Sequence, residues 1–517
     1  MKRTVKNTPM IEKLEDQLFE EILRARTRVY RVGNRTPLQE ISNDEKNYQI
    51  FIKREDLGPI NAYKWRGAYN AVLIHHEQTG CQTVVAASAG NHAQGVALAA
   101  RELGLTSKIF MPESTPMMKQ KSVKRHGGDT TEIILIGDTY NEAGKAAKAY
   151  CEKHKYTYIH PFDDLYTIAG QATIADEIML SGKGPFDYAF VQIGGGGMAA
   201  AVSSWLKIHN PDIKIIGVEG VDQACMKASI EAGKPVTLEN VDTFCDGTAV
   251  TRPGDLTFDI CRKYIDAYIT VTNEEVSAAI ARMWEASRVI PEPAGAMGLA
   301  GVIQFAENNP DEVQDKKMLS ILCGANMDFS KLSLIASRSA IGAHRHYLRF
   351  HLNEEKGGLL NLLDKHFKDV NVSEFLYGKV DEKEAWPIIA LEATPAHFAT
   401  LKNVLNKSGT EFEDVTMAPD VRYRIINYNP ALFKAPLLMH VHFPERKSAL
   451  RDFLRNVSGI ANVCYFNYAY SGEAIGRALM GFEFESQEQQ KEFEKIVQNS
   501  LVTCRPVDES TAARILQ

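Results

Sequence analysis

The stretch TVVAASAGNHAQGVALAARELG, Thr83 to Gly104, sets a short apolar run directly against a helical pattern, with Ser88, Ala89 and Gly90 at the junction. Buried strands read as near-continuous apolar runs, whereas helices show apolar residues recurring every three to four positions. The same grammar recurs downstream. SKIFMPE precedes MMKQKSVKRHG, TEIILIGD precedes TYNEAGKAAKAYCEKH, and YAFVQIG precedes GGGGMAAAVSSWLKIH; KIIGVEG, AYITVT and KMLSILCGAN follow. Such alternation predicts an α/β architecture with open parallel sheets, extending to about residue 335.

Beyond that point the pattern changes. YLRFHLNEEKGGLLNLLDKHF (347–367) and LLMHVHFPERKSALRDFLRNV (437–457) resemble one another, each giving a strand, an acidic-basic turn and an amphipathic helix. Two strand-like runs follow each of them: SEFLYGKV and WPIIALEA in the first, CYFNYAY and GRALMGFEF in the second. A repeated β-α-β-β unit is the economical reading. The plainer alternative is two unrelated strand-helix segments.

A chain of 517 residues exceeds what one hydrophobic core usually supports, so more than one domain is expected. The 59 Lys and Arg against 65 Asp and Glu leave a net charge of −6, with no electrostatic footprint for nucleic acid or anionic lipid. A small-molecule ligand is the better default. The eight cysteines are far apart, with no CxxC pair or clustered metal spacing, and read as free thiols in a reducing compartment. The N-terminal MKRTVKNTPM runs into the acidic amphipathic IEKLEDQLFEEILRARTRVY rather than into a signal-peptide core, and no apolar run approaches a membrane span. A cytoplasmic protein without membrane partners is expected.

Four local features carry chemistry. Lys64 lies in PINAYKWRGAYNAV (59–72), between a turn at Gly58-Pro59 and a helical pattern opening at Arg66-Gly67-Ala68; alone, it reads as a surface lysine. The tetraglycine Gly194, Gly195, Gly196 and Gly197 lies between a strand and an apolar helix. Glycines let backbone approach an anion at the positive end of a helix, so this is a phosphate cradle. It matches neither a P-loop nor a GxGxxG dinucleotide fingerprint, which argues against an NAD-binding oxidoreductase. In SAGNHAQG (88–95), Asn91 and His92 stand at a helix start, where Asn can simply cap or can bond a ligand. ILCGAN (321–326) brings Cys323 to the carboxyl edge of a sheet, where open α/β folds bind ligands.

KRED (53–56), AYKWRGA (62–68), SAGNHAQG (88–95), GGGGMAA (194–200), EPAGA (292–296) and CGAN (323–326) together resemble the serine/threonine dehydratases of the fold type II pyridoxal-phosphate enzymes. The C-terminal HFPERKSALRDFL with NVCYFNYAYSGEAIGRALMGFEF is similar to the ACT-like regulatory domains of the biosynthetic threonine deaminases. The resemblance implies a catalytic domain over residues 1–340, made of two open parallel-sheet subdomains with the smaller, about 60–160, inserted in the larger. Two α+β ACT-like units, 341–430 and 431–517, would follow.

By that resemblance Lys64 links covalently to pyridoxal 5′-phosphate and, once displaced, takes the substrate Cα proton. A lysine amine is nucleophilic only when deprotonated, which a partly desolvated site favours. Gly194 to Gly197 with Met198 would hold the phosphate, Asn91 the ring hydroxyl, and Tyr63 would pack beside the ring. Cys323 would face the pyridine nitrogen, Glu292 would lie near the cofactor, and Ser88, Ala89, Gly90 and His92 would line the substrate-carboxylate pocket.

The implied reaction is dehydration of L-threonine to 2-oxobutanoate and ammonia, with serine a secondary substrate, isoleucine an inhibitor, valine an opposing effector, and a homotetrameric assembly. Another β-elimination or replacement enzyme, serine dehydratase or threonine synthase-like, and a non-catalytic amino-acid sensor are the alternatives. The sequence departs from the family at Ala62, where a serine is usual, at Ala89, where serine racemases carry a second serine, and at Cys225, where relatives place the second acid of a cation site begun by Glu219. One-face proton handling and no divalent site are expected. In the first regulatory unit NEEKGG (353–358) replaces the usual proline-glutamate turn, so the resemblance points to an effector site around Phe443 to Leu450 more directly than to one in the first unit.

Overall fold

The computed structural model describes residues 8–41, 47–137, 139–329, 331–342, 345–367, 372–393, 395–416, 418, 421, 426–434, 436–444, 449–469, 475–498, 502–509 and 512. The chain divides into two units, residues 1–339 and 340–517.

Ten strands of the first unit are β1 (Leu38–Ile41), β2 (Gln49–Arg54), β3 (Thr83–Ala87), β4 (Thr106–Met111), β5 (Thr131–Leu135), β6 (Thr157–Tyr158), β7 (Tyr188–Gln192), β8 (Lys214–Gly220), β9 (Ala267–Val271) and β10 (Lys317–Leu322). They form a six-stranded sheet in the order β1-β2-β10-β7-β8-β9 and a four-stranded sheet in the order β5-β4-β3-β6. Every pairing is parallel except β1 with β2. Both sheets are apolar on both faces. Along β7, Ala189 and Val191 enter one core cluster and Phe190 another, and along β3, Val84 and Ala86 oppose Val85 and Ala87. This two-sided burial is why the strands read as unbroken apolar runs.

Lys64 caps the N-terminus of the helix Trp65–Thr79. That helix crosses the helix Leu165–Leu180 with backbones nearly touching: a Cβ on Gly170 would lie 2.6 Å from the Arg66 carbonyl oxygen and the Gly67 Cα. Any larger residue at either glycine would push the Lys64 helix away.

The second unit contains β11 (Arg345–Phe350), β12 (Leu352–Asn353), β13 (Val372–Gly378), β14 (Glu384–Ala385), β15 (Ile388–Glu392), β16 (Phe412–Asp414), β17 (Leu437–Pro444), β18 (Asn462–Ala469), β19 (Ile475–Glu483) and β20 (Thr503–Pro506). Eight of them make one antiparallel sheet in the order β16-β11-β15-β13-β18-β19-β17-β20. The expected β-α-β-β repeat is present, but each copy continues through one more helix, Pro395–Lys407 or Gln487–Gln498, and one more strand, β16 or β20. Each repeat is therefore β-α-β-β-α-β, and the two copies meet at their second strands.

The junction register keeps the symmetry of the repeat. Leu376 pairs with Asn467 and Tyr377 with Phe466; when 347–367 is laid on 437–457, Leu376 corresponds to Phe466 and Tyr377 to Asn467. Residue and counterpart exchange partners, as a two-fold relationship requires.

Candidate active site

The site is assembled at the carboxyl ends of both parallel sheets, within the first unit. Residues Ile60–Tyr63, just before Lys64, are stitched to the segment after β10. Tyr63 donates its N–H to the Cys323 carbonyl at 3.0 Å, Ala325 donates to the Asn61 carbonyl at 2.9 Å, and Ala62 bridges Gly324. Asn61 sits at φ 52°, a left-handed conformation that Asn tolerates better than most residues. Lys64 is thereby fixed against the Cys323 strand end.

Its amine donates to the Pro161 carbonyl at 3.2 Å and lies 5.3 Å from the centre of the Tyr63 ring. Desolvation lowers the Lys64 amine to about 8, against the opposing pull of Cys323 and Glu292. A lysine so placed gives up its proton far more readily than one in water. Burial pushes the Cys323 thiol up to about 12, and its S–H donates to the Ala294 carbonyl at 3.5 Å, so Cys323 is a neutral thiol.

Asn91 is the first residue of the helix Asn91–Glu102, and Gly90, not Asn91, occupies the capping position, with no side-chain cap. The capping alternative therefore falls away. The Asn91 side chain instead donates from Nδ2 to Glu292 Oε1 at 2.8 Å. Burial, with the Asp246 charge adding, raises the Glu292 carboxyl to about 8. His92 is buried and its Nε2 faces the Ile159 carbonyl at 2.9 Å; a carbonyl can only accept, so Nε2 carries the proton. Desolvation lowers this imidazole to about 3, which keeps it neutral. Ser88 is buried and its hydroxyl accepts the Gly90 N–H at 3.2 Å.

The tetraglycine loop joins β7 to the helix Gly197–His209, with Met198 in the helix's first turn. The Gly195 carbonyl is occupied: Thr257 Oγ1 donates to it at 2.6 Å, and the Gly254 N–H at 3.2 Å. A Cβ on Gly195 would lie 2.3 Å from the Phe162 ring, and one on Gly194 2.9 Å from Thr248 Cα. Only glycine fits between these walls, and the first-turn N–H groups of the helix have no intrahelical acceptor. The loop fits a phosphate held by backbone donors at a positive helix end.

The structure thus bonds Tyr63 to Cys323 and Asn91 to Glu292, with the Glu292 N–H on the carbonyl of Gly324, next to Cys323, while Phe162, next to Pro161, connects Lys64 to the tetraglycine loop. Ala89 has no side-chain polar group to contribute. Pro161 and Phe162 were not singled out from sequence, although IHPFDD directly follows β6 at the same sheet edge. Glu219, buried, accepts N–H groups from Met226 and Lys227 at 2.8 Å each, so its carboxylate caps the helix Cys225–Ala232.

In the second unit, Asn353, Glu354, Glu355 and Gly357 of the NEEKGG segment line a small pocket. Leu359, Leu360, Phe375, Leu454 and Val457 form apolar walls. The Glu354 carboxylate accepts from the Tyr377 hydroxyl and, at 2.9 Å, from Asn462 Nδ2. The expected second effector segment, Phe443 to Leu450, lies largely outside the described residues.

A family model described as pyridoxal-phosphate dependent enzyme matches residues 29–324, and one described as the C-terminal regulatory domain of threonine dehydratase matches residues 434–516. The chain is 38% identical to the biosynthetic L-threonine dehydratase IlvA of Haemophilus influenzae over 92% of each chain. It is 35% identical to the Escherichia coli enzyme of the same name over 90% of this chain and 92% of that one. A solved structure of threonine deaminase isoform 2 from Solanum lycopersicum superposes with a TM-score of 0.60 at 39% identity, covering 63% of this chain and 89% of that chain. The Lys64 amine of lowered basicity, the glycine cradle and the neutral Cys323 thiol suit pyridoxal phosphate, and the chain belongs to the pyridoxal-phosphate dependent enzymes, within the family of biosynthetic threonine dehydratases.

Proposed function

We propose that the chain dehydrates and deaminates L-threonine to 2-oxobutanoate and ammonia at the Lys64 site, under feedback control from its C-terminal unit. As a pyridoxal-phosphate enzyme with a threonine-dehydratase regulatory domain, it takes a small-molecule substrate and a small-molecule effector. The observation that carries the reading is the Lys64 amine, lowered to about 8 and held beside the Cys323 strand end within reach of the tetraglycine loop's wall.

Pyridoxal phosphate, when bound, supplies the electron sink that makes the substrate Cα acidic. Gly194 to Gly197 and Met198 would hold its phosphate, Asn91 its ring oxygen and Tyr63 its face, while Glu292 supports Asn91. Cys323 offers no negative charge to hold a protonated pyridine nitrogen, which favours elimination over reactions that need a fully delocalised carbanion. The substrate carboxylate binds at Ser88, Ala89, Gly90 and His92. Lys64, freed by substrate, takes the Cα proton on Nζ and is the single base from its face.

The proposed division is a catalytic domain, 1–340, with its small subdomain about 60–160, then regulatory domains 341–430 and 431–517. Isoleucine is the proposed inhibitor and valine its opponent, in a homotetramer. The Glu354 pocket supports an amino-acid effector, since a half-buried carboxylate matches an ammonium group, apolar walls match a branched side chain, and helix Gly358–His366 starts nearby.

Lys64→Ala is expected to abolish both turnover and the visible absorption of bound cofactor. Retention of both would overturn the assignment. Comparing kcat/KM for threonine, serine and O-phosphohomoserine separates it from serine dehydratase and threonine synthase activities, and absence of any 2-oxo acid product would revive the sensor.

A further inference from the structure

Asn91 has a side-chain amide with one oxygen and one nitrogen, and the end it turns toward the cleft decides whether it can donate to a ligand. Its neighbour Glu292 cannot make that choice. A carboxyl held protonated up to about 8 can donate from its hydroxyl or accept on its carbonyl oxygen, so it tolerates either end of the amide. The direction must come from a group with no such freedom.

That group is the backbone carbonyl of Ile60, which only accepts. Asn326 lies 2.6 Å from it through Nδ2, which fixes the Asn326 amide with its nitrogen inward. The second N–H of the same nitrogen reaches Asn91 Oδ1 at 2.8 Å. The Asn91 oxygen is therefore occupied, and its nitrogen is left to face Glu292 Oε1 at 2.8 Å and the cleft. The backbone N–H of Asn326 also bonds the Glu292 carboxyl, which closes the ring of contacts.

We infer that Asn326 is a positioning residue that orients the Asn91 amide, so that Asn91 presents an N–H donor to the cofactor. This rests on the reading that Asn91 bonds the cofactor ring oxygen. Asn326 itself acts through Asn91. The direction is set by an immovable carbonyl on the same short segment that delivers Lys64, so the covalent anchor of the cofactor and the donor to its ring are registered to one piece of backbone.

Asn326→Asp is nearly isosteric but removes both donors. Its oxygens would face the Ile60 carbonyl and Asn91 Oδ1, and the Asn91 amide should turn over, directing its oxygen at the cleft. Full-length protein carrying Asn326→Asp, Asn91→Ala or both is titrated with pyridoxal phosphate, and the absorption spectrum of each complex is recorded across pH. Asn326→Ala serves as the second single variant, should the aspartate compromise folding.

The inference expects each single variant to weaken cofactor binding roughly ten- to a hundred-fold, the range of one hydrogen bond to a charged acceptor. The titration of the visible band should shift in both, and the double variant should be no worse than Asn91→Ala alone. A wild-type spectrum and affinity for both Asn326 variants, beside an altered Asn91→Ala, would overturn the role of Asn326 and leave that of Asn91 standing. Additive effects in the double variant would likewise overturn it, since the two residues would then act separately. A wild-type affinity and spectrum for Asn91→Ala would remove the reading of Asn91 and the inference together.

Discussion

Arg66 grips Glu55 through two parallel hydrogen bonds, Nε to Oε2 at 2.7 Å and Nη2 to Oε1 at 2.9 Å, two residues beyond Lys64. Arg66 Nη1 reaches Glu177 Oε1 at 2.6 Å, and Lys53 bonds the other oxygen of Glu177, so two cations and two carboxylates share a buried site. The planar guanidinium fork suits this geometry and an ammonium would not. The cluster ties the Lys64 helix to β2 and to the helix Leu165–Leu180. Arg66→Met leaves Glu55 and Glu177 with one cation between them, and removing a partner from a buried pair costs about 3–5 kcal/mol. A lower urea midpoint and looser cofactor retention are expected; an unchanged midpoint would show that the cluster contributes nothing net.

Gly195 and Phe162 form a second testable pair. A methyl group at 195 would meet three atoms of the Phe162 ring at 2.3 to 2.4 Å. Gly195→Ala should displace the loop and weaken pyridoxal-phosphate binding by about 1–3 kcal/mol, the usual cost of overpacking. Phe162→Ala removes all three of those atoms, so Gly195→Ala with Phe162→Ala should lose less than the two single losses combined. Strict additivity in a cofactor titration would argue against this steric account.

What could be read in the sequence follows from the range over which each feature is written. The tetraglycine loop was legible because its strand and its helix are adjacent in the chain. Cys323 was legible as a strand end. By contrast, Phe162 and Gly195 are remote in sequence, as are Asn326 and Asn91, and no local pattern announces their contact. Lys64 was ambiguous locally and became specific only with the whole set of motifs. The additional helix and strand of each regulatory repeat were missed because their resemblance fades after WPIIALEA and GRALMGFEF, although burial of Phe398 and Leu405 shows an amphipathic helix there. Relatives place Glu219 in a cation site whose second acidic position is Cys225 here, and the Glu219 carboxyl accepts backbone N–H groups that no local sequence pattern announces.

Glu292 should also impose a pH dependence on stability. Its carboxyl is raised from 4.5 to about 8 in the folded chain, mainly by burial. A raised carboxyl keeps its proton in the folded state while the unfolded chain loses it, so its contribution is full below 4.5 and is lost as pH rises through about 8. His92 and His160, lowered by burial to about 3 and 4, act in the opposite sense, but equally in wild type and variant. Glu292→Gln keeps an acceptor for Asn91 and does not ionise. In cofactor-free full-length protein, the stability of Glu292→Gln relative to wild type should therefore grow from pH 5 to 8 and then level off. A difference independent of pH would mean that Glu292 is not protonated in the fold.

The proposed effector pocket around Glu354 supports one more expectation. Glu354 is held by the Tyr377 hydroxyl and by Asn462, which come from two different repeats, so a ligand that engages Glu354 touches the junction where β13 pairs with β18. Burial raises this carboxyl, and its two donors oppose the shift. An incoming ammonium group would favour the ionised form and gain a charge-assisted bond, whereas Glu354→Gln retains the shape and loses the charge. Inhibition requires isoleucine to bind the two functional states with unequal affinity, and where isoleucine lowers threonine affinity, linkage requires threonine to weaken isoleucine binding by the same factor. Glu354→Gln should raise the isoleucine concentration for half-inhibition roughly ten- to a hundred-fold, the worth of one hydrogen bond to a charged group, while leaving effector-free threonine turnover unchanged. Tyr377→Phe, which removes one donor but keeps the carboxylate, should have a smaller effect in the same direction. Isoleucine inhibition that is unaltered in Glu354→Gln would move the effector to another site, and a loss of effector-free turnover would instead give Glu354 a role in maintaining the active state.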